Sequence, residues 1–110
     1  MSIQKTNKRA ARGAKMLDKK RPGWHRIINR DILDIQDIEN CVLGQQDGYC
    51  NMSNEFFGDL PSGELLRQVA RHGFDVSIKA YNSEDLDLRF RMLNHAWRHE
   101  IIERLNADQN

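Results

Sequence analysis

Two cysteines and two of the histidines supply the atom types from which a metal site could be built. They are Cys41, Cys50, His95 and His99. The histidines are four residues apart, a spacing that lets a pair on one helix face bind zinc. The cysteines, however, are nine residues apart, wider than the two to four of a zinc knuckle, and Cys41 fits a core position better than a ligand position. We therefore expect no metal and no cofactor.

Other catalytic patterns are incomplete. His99-Glu100 matches half of a zinc-protease motif, but the second histidine is missing because position 103 is Glu. A cysteine nucleophile would need Cys41 or Cys50 beside a histidine base, an arrangement that the sequence neither supports nor excludes. A glycine-rich phosphate loop is also missing. The sequence therefore favours a protein that is not an enzyme.

Charge is strongly segregated along the 110 residues, although the formal net charge is only +1. Residues 1 to 30 contain ten Lys or Arg and a single acid, Asp18, which gives this segment a charge of +9. Residues 31 to 64 contain eight acids and no Lys or Arg, and residues 65 to 110 contain seven of each sign. Such asymmetry concerns partners and association and says little about the fold.

Three interpretations of this charge layout are open. The two segments face one another within the monomer or between two copies, or the basic surface binds nucleic acid, or the charged surfaces dock on another protein. The candidate basic surface, for nucleic acid or a partner, comprises Lys5, Lys8, Arg9, Arg12, Lys15 and Lys19. The candidate acidic surface, for a partner, comprises Asp31, Asp34, Asp37 and Glu39. These acids match no calcium loop, and a solvated face suits them better than a magnesium site.

The basic residues belong to a predicted amphipathic helix over residues 3 to 20, which Pro22 ends. Its apolar stripe comprises Ile3, Ala10, Gly13, Ala14 and Leu17. The stripe is thin, and Ala10, Gly13 and Ala14 are small, so burial of this face would allow close approach by another element. Pro22-Gly23-Trp24 is a turn that can start the next helix. We expect Trp24 to be a core anchor, the alternative being an exposed ring that stacks on a nucleobase.

The middle of the chain has weaker patterns. Residues 31 to 35 suggest an extended piece that leads into a helix starting near Gln36 or Asp37, with Asp37 as N-cap and Gly44 or Gly48 as the end. Residues 46 to 59 resemble a loop, with Phe56-Phe57 tethering it to the core.

Periodicity is clearer in the second half. A helix capped by Asp59 or Ser62 should bury Leu65, Leu66 and Val69 and end at Gly73. Alternation over residues 74 to 80 suggests a short strand paired with residues 31 to 35, the alternative being irregular chain that lies over the core. The last helix, about residues 83 to 106, has an apolar face, and residues 107 to 110 should be frayed. That face comprises Leu86, Phe90, Leu93, Trp97, Ile101 and Leu105.

These elements predict one domain over residues 1 to 110, mainly α with α+β as the alternative class, with about four helices and at most one short strand pair. No apolar run approaches the ~20 residues needed to span a bilayer, and no apolar segment follows the basic N-terminus to form a signal peptide. We therefore expect a cytoplasmic protein without membrane contact and with reduced cysteines.

Six segments in this order resemble a family of short proteins encoded mainly by phages and prophages, whose biochemical role is not established. The segments are Ala11-Arg12-Gly13-Ala14-Lys15-Met16-Leu17-Asp18, Pro22-Gly23-Trp24, Ile32-Leu33-Asp34-Ile35, Cys41-Val42-Leu43-Gly44-Gln45, His72-Gly73-Phe74-Asp75 and Ala96-Trp97-Arg98-His99-Glu100-Ile101. The resemblance covers nearly the whole chain, but residues 49 to 60 depart from the pattern.

The resemblance implies an accessory protein that binds and modulates host machinery, including defence systems such as CRISPR. We therefore expect stoichiometric binding to a host or phage protein, with anti-CRISPR-like inhibition as one outcome. The alternative is a nucleic-acid-binding regulator that uses the basic N-terminal helix, and a homo-oligomer is compatible with both.

Overall fold

The computed structural model describes residues 3–109, which form five α-helices and one 3₁₀ helix. They are α1 (Ile3–Lys20), α2 (Trp24–Ile27), α3 (Tyr49–Phe57), α4 (Ser62–Arg71), the 3₁₀ helix (Ile78–Asn82) and α5 (Leu86–Asp108). These residues contain no β-strand, so the mainly α class is confirmed. None of the helices in this range has the length and apolar character needed to cross a membrane.

Helices α1 and α5 pack closely against each other. The predicted apolar stripe of α1 is buried except at its first member. Ala10, Ala14 and Leu17 have no solvent exposure, whereas Ile3 is 65% exposed. Gly13 explains why the stripe is small, because a Cβ there would lie 2.0 Å from the carbonyl oxygen of His72 and 2.9 Å from the Trp97 ring. The predicted close approach is therefore confirmed.

The apolar face predicted for the last helix is also confirmed. Its buried members are Phe90, Leu93, Trp97 and Ile101, with Leu86 and Leu105 partly buried beside them. Fraying from residue 107 is wrong for the described residues, because α5 continues to Asp108. The Asp108 carboxylate lies 2.7 Å from His25 Nε2 and accepts a hydrogen bond from Arg26 Nε over 2.9 Å. Asn110 lies outside the described residues.

Trp24 is the core anchor that the sequence predicts. Its side chain is 1% exposed and packs edge-to-face against Trp97 with the ring centroids 5.7 Å apart. The indole Nε1–H donates to Asp18 Oδ1 over 2.9 Å, which satisfies the one polar group of the ring. The alternative of an exposed, base-stacking Trp24 is therefore wrong.

The strand pair does not form, and the alternative of irregular chain over the core is correct for residues 74 to 77, where Phe74 and Val76 are buried. Residues 31, 32 and 35 lie in turns, residues 33 and 34 have no regular structure, and residues 78 to 80 begin the 3₁₀ helix Ile78–Asn82. Side chains of α5 take the hydrogen bonds that a neighbouring strand would have supplied. Asn94 Oδ1 accepts the Ile35 N–H over 2.7 Å, and Arg98 Nη2 donates to the Leu33 carbonyl over 2.7 Å. Leu33 and Ile35 are thereby buried without a sheet.

The helix expected after residue 36 is wrong as well, because residues 36 to 47 form consecutive turns. Asp37 caps one of these turns, since its Oδ1 accepts the Glu39 N–H and its Oδ2 accepts the Asn40 amide. A Cβ on Gly44 would lie 2.1 Å from the carbonyl oxygen of Ile38, so glycine permits the tight packing of these turns. Cys41 is buried as expected, and its neighbours Val42 and Leu43 are buried too.

The expected loop at residues 46 to 59 contains helix α3, Tyr49–Phe57, which is a further correction. Met52 and Phe56, four residues apart, form its buried face, and the partly buried Phe57 also packs against the core. The expected tether by Phe56 and Phe57 is therefore confirmed. The residues between Met52 and Phe56 are polar, so the sequence contains too few apolar residues at helical spacing to indicate a helix here. Ser53 is also buried, and its hydroxyl donates to the Tyr49 carbonyl over 2.7 Å.

Helix α4 follows its prediction in part. Val69 is buried and Leu65 partly buried, but Leu66 is 41% exposed, so its inward assignment is wrong. Neither predicted side-chain cap forms, because Pro61 occupies the N-cap position. Gly73 follows the helix with φ +75°, in agreement with the predicted C-terminal glycine.

Candidate binding groove

Helix α1 holds the candidate basic surface on the side opposite its buried stripe, because the cations recur at three- and four-residue steps. Its members are Lys5, Lys8, Arg9, Arg12, Lys15 and Lys19. Arg9 is half-buried, and the others are exposed.

Part of this surface forms one wall of an open groove of about 850 Å³, with α4 and the 3₁₀ region as the other walls. We call it the cationic groove. Seven of its lining side chains are Lys or Arg, and none of the described lining residues is acidic or aromatic. The lining residues are Lys5, Lys8, Arg9, Arg12, Gly63, Leu66, Arg67, Ala70, Arg71, Ser77, Ile78 and Lys79.

Helices α1 and α4 touch each other within the lining of the groove. Arg12 Nη1 donates a hydrogen bond to the main-chain carbonyl of Arg71 over 2.7 Å. Beside it, a Cβ on Gly73 would lie 2.8 Å from the backbone of Ala10, so the chain leaves α4 in close contact with α1. These contacts fix the position of the α4 wall relative to the α1 wall.

Three groove cations were missed by the sequence reasoning: Arg67, Arg71 and Lys79. Arg67 and Arg71 are four residues apart on the polar side of a predicted helix, so this signal was available in the sequence. Lys79 could not be placed, because the predicted strand is a 3₁₀ helix and only the tertiary structure brings it beside α4. In contrast, Lys15 and Lys19 of the predicted basic surface are not among the lining residues.

Two exposed apolar side chains lie among the cations. Leu66 from α4 is 41% exposed and Ile78 from the 3₁₀ helix is 54% exposed, and both line the groove. They add apolar contact area to a lining that otherwise consists mainly of cations. The groove thus offers charge together with apolar contact.

Like charges crowd the α1 wall. Burial, together with the charges of Arg12 and Arg89, lowers the pKa of the Arg9 guanidinium from its usual value. The direction shows that the charged form of Arg9 is disfavoured by its surroundings. An anion beside Arg9 would offset the repulsion from Arg12 and Arg89 but not the effect of burial, which is the larger cause.

The basic N-terminal segment makes ion pairs at several places outside the groove. Arg21 binds Glu55 with two hydrogen bonds, of 3.0 and 3.1 Å, and lies 3.9 Å from Asp47, so it joins the basic and acidic segments. Asp18 accepts hydrogen bonds of 2.9 Å from Arg104 of α5. The segments therefore face one another at Arg21, while no acid of the described residues lines the cationic groove.

The candidate acidic surface has partly structural roles. Asp34 Oδ1 accepts the Gln36 N–H over 3.0 Å, and Asp37 caps a turn, where hydrogen bonds from Glu39 and Asn40 lower its pKa. Asp31 and Glu39 are exposed. Asp31 and Asp34 line a second groove of about 420 Å³, whereas Glu39 lines a separate one with residues of α3. The four acids therefore do not share one surface groove.

The cysteines and histidines do not assemble into a metal site. Cys41 is buried, and its burial raises the thiol pKa, which disfavours the thiolate needed by a nucleophile or ligand. Cys50 is exposed on α3. His95 is exposed on α5, and His99 pairs with Glu103 over 3.0 Å. Within residues 3–109, no three His, Cys, Asp or Glu side chains are grouped to hold a metal ion.

Fold and groove together define a small helical domain with a cationic groove in which two apolar side chains are also exposed. Comparison of the chain with protein-family models, curated proteins and solved structures gives no match.

Proposed function

We propose that this chain is a non-enzymatic, phage-type accessory protein that binds a protein partner stoichiometrically through the cationic groove. One observation carries the proposal: seven Lys or Arg side chains share a groove with exposed Leu66 and Ile78. An acidic protein surface offers carboxylates together with apolar side chains, whereas a nucleic acid backbone offers mainly charge.

The lining of the groove favours a protein over single-stranded nucleic acid. Non-specific binding of single strands commonly combines cations with aromatic rings on which bases stack, at about 1 to 3 kcal/mol per base. No aromatic side chain is among the described lining residues. The exposed apolar contacts therefore have a better match in the side chains of a protein partner.

The partner is a host or phage protein, and binding takes place in the host cytoplasm. The resemblance to phage-encoded proteins supports an accessory role, and binding by occupation of a surface requires no catalytic group. In the form that this resemblance favours, the partner belongs to a host defence complex, which the bound protein inhibits in an anti-CRISPR-like manner by covering an acidic surface.

Affinity purification from host cells, with and without nuclease treatment of the lysate, tests this proposal. We expect one partner in a stoichiometric complex that survives nuclease. Charge reversal in the groove by the pair Lys8→Glu and Arg67→Glu should weaken the complex at least about tenfold. The matched pair Lys15→Glu and Lys19→Glu makes the same charge change outside the groove and should retain the partner.

Loss of every partner after nuclease treatment would count against a protein partner. Equal binding of the partner by the wild type and the Lys8→Glu, Arg67→Glu variant would show that the partner does not bind in the groove. Both results can be interpreted before the partner has been identified.

A second candidate function is nucleic-acid binding, because Lys15 and Lys19 extend the basic face beyond the groove. From residue 5 to residue 19 this face runs about 21 Å, at 1.5 Å per residue. Phosphate contacts along it would make the affinity for an oligonucleotide fall steeply with salt. The Lys15→Glu, Lys19→Glu variant would then lose binding, and an affinity that does not change with salt would eliminate this candidate.

A further inference from the structure

We infer that the partner segment bound in the cationic groove is an acidic amphipathic α-helix. This inference rests on the proposed function, and it specifies the chemistry and the shape of the occupant. The bound helix presents carboxylates to the cations of both walls and apolar side chains to Leu66 and Ile78.

The dimensions of the groove limit the length of its occupant. Residues 5–12 of α1 and 63–71 of α4 supply two of its walls. Each of these stretches covers about two helical turns, or roughly 12 Å at 1.5 Å per residue. The bound segment must therefore place the side chains that contact the groove along about 12 Å of its own length.

Over that distance a helix offers more side chains than an extended chain. An extended chain at about 3.3 Å per residue places roughly four residues along 12 Å, and alternate side chains point away, so about two face the groove. A helix places about eight residues there, and those at i, i+3, i+4 and i+7 share one face. The groove is cationic although Arg67 also pairs with Glu64 over 2.9 Å. Because a helix turns about twice as many side chains towards the groove, it can present carboxylates and apolar side chains together within this length.

The apolar side chains determine which helix fits. Leu66 and Ile78 belong to different elements and lie among the cations, so a purely polyanionic occupant would leave both in contact with water. An amphipathic helix buries apolar side chains against them while its carboxylates reach the surrounding Lys and Arg. Docking of an amphipathic helix into a groove is a recurrent mode of peptide recognition.

Gly63 provides a way to block the groove without disturbing the fold. It lies in the first turn of α4 and lines the groove, and a Cβ built on it meets no atom within 4 Å. A large side chain there should enter the groove without strain. Asn54→Trp, at an exposed position of α3, introduces the same ring elsewhere and serves as the matched control.

The experiment measures fluorescence anisotropy of two labelled peptides made from Glu, Ala and Leu. The first is designed as an amphipathic helix with Leu at i, i+3 and i+7, and the second is its isomer with D-residues at the four central positions. The isomer keeps the charge and composition but cannot form a continuous helix. We expect the helical peptide to bind the wild-type protein at least about fivefold more tightly than the isomer.

Binding of the helical peptide should weaken at least about tenfold in Gly63→Trp and remain unchanged in Asn54→Trp. Ile78→Gln should weaken it as well, because an apolar contact is lost. Equal affinities for the two peptides, or no effect of Gly63→Trp, would overturn the helical occupant. An oligonucleotide that competes for the groove and is insensitive to Ile78→Gln would point to nucleic acid instead.

Different results would refute the helical shape of the bound segment and the binding of a protein partner in the groove. If Gly63→Trp abolishes capture of the cellular partner but both peptides bind equally, the groove still binds a protein and only the helical shape is wrong. If the partner is captured equally by the wild type and Gly63→Trp, the groove is not the partner site and the proposed function is wrong.

Discussion

Arg12 and Arg71 are joined by a hydrogen bond, although both side chains are cationic. Nη1 of Arg12 donates to the main-chain carbonyl of Arg71 over 2.7 Å. This carbonyl belongs to the last residue of α4, where it has no partner within the helix and carries part of the negative end of the helix dipole. The contact therefore sets the distance between the two walls of the groove and also stabilises a helix end.

Replacing Arg12 by Met should lower the free energy of unfolding by about 1 kcal/mol, because an exposed, charge-assisted hydrogen bond is lost. Urea denaturation followed by circular dichroism measures the change. Lys15→Met, one turn along the same exposed face, is the control and should change stability by less than about 0.5 kcal/mol. Equal losses in the two variants would contradict a specific role for the Arg12–Arg71 contact.

Gly13 and Gly63 should respond in opposite directions to alanine. At Gly13 the new Cβ would lie 2.0 Å from the His72 carbonyl oxygen, so α1 must move from its neighbours and stability should fall by about 2 kcal/mol. At Gly63 the Cβ enters open space, and higher helix propensity should raise stability by about 0.5 kcal/mol. Thermal unfolding compares the variants, and a stable Gly13→Ala protein would contradict the close packing.

The stability contributed by Asp108 should depend on pH. A hydrogen bond from Arg26, and then the contact with His25, lowers the pKa of the Asp108 carboxyl from 3.8 to about 2. Because the pKa is lower in the folded state, the carboxylate stabilises the fold above pH 3.8, and this contribution disappears as the pH falls towards 2. Asp108→Asn should therefore be less stable than the wild type at neutral pH.

The difference in unfolding midpoint between Asp108→Asn and the wild type should shrink as the pH falls from 3.8 towards 2. Urea titrations at several pH values measure it. Asp87→Asn provides the control, because Asp87 is exposed and lies 3.8 Å from its partner Arg91. A difference that stays constant over this pH interval would show that Asp108 acts through packing and not through its charge.

The two long helices could be predicted because their apolar residues repeat at helical spacing over many turns. Ala10, Ala14 and Leu17 in α1, and Phe90 and Trp97 in α5, lie on the buried faces that their periods indicate. The middle of the chain could not be predicted, because its backbone is satisfied by distant side chains. Asn94 lies 59 positions from Ile35, and no local pattern records that hydrogen bond.

The candidate site was predictable to a similar extent. Lys5, Lys8, Arg9 and Arg12 follow from the charge pattern of one helix, and they line the groove. The remaining walls depend on how α4 and the 3₁₀ helix pack, which the sequence does not specify locally. Leu66 illustrates the limit, since helical periodicity places it beside Leu65 and cannot decide which of two adjacent leucines remains exposed.

The two thiols should differ in reactivity. Cys50 is exposed on α3, whereas Cys41 is 2% exposed and its pKa is raised by burial. A disulfide-exchange reagent should therefore modify one thiol of the native protein rapidly and the second only after denaturation. Cys50→Ser should abolish the rapid phase. Rapid modification of Cys41 in that variant would show that the turns at residues 36 to 47 open readily.

Asn94 provides a direct test of how the turns are held without a sheet. Its Oδ1 accepts the main-chain N–H of Ile35 over 2.7 Å, and Ile35 is buried. Asn94→Leu leaves this donor without its acceptor, and the unfolding free energy should fall by about 1 to 3 kcal/mol. Amide hydrogen exchange should become faster at Ile35 while it stays slow in α1, because only the turns lose a hydrogen bond to Asn94.

Asn106→Leu, an exposed position near the end of α5, is the control and should leave exchange at Ile35 unchanged. Unchanged protection in Asn94→Leu would show that packing of Leu33 and Ile35 alone holds this segment.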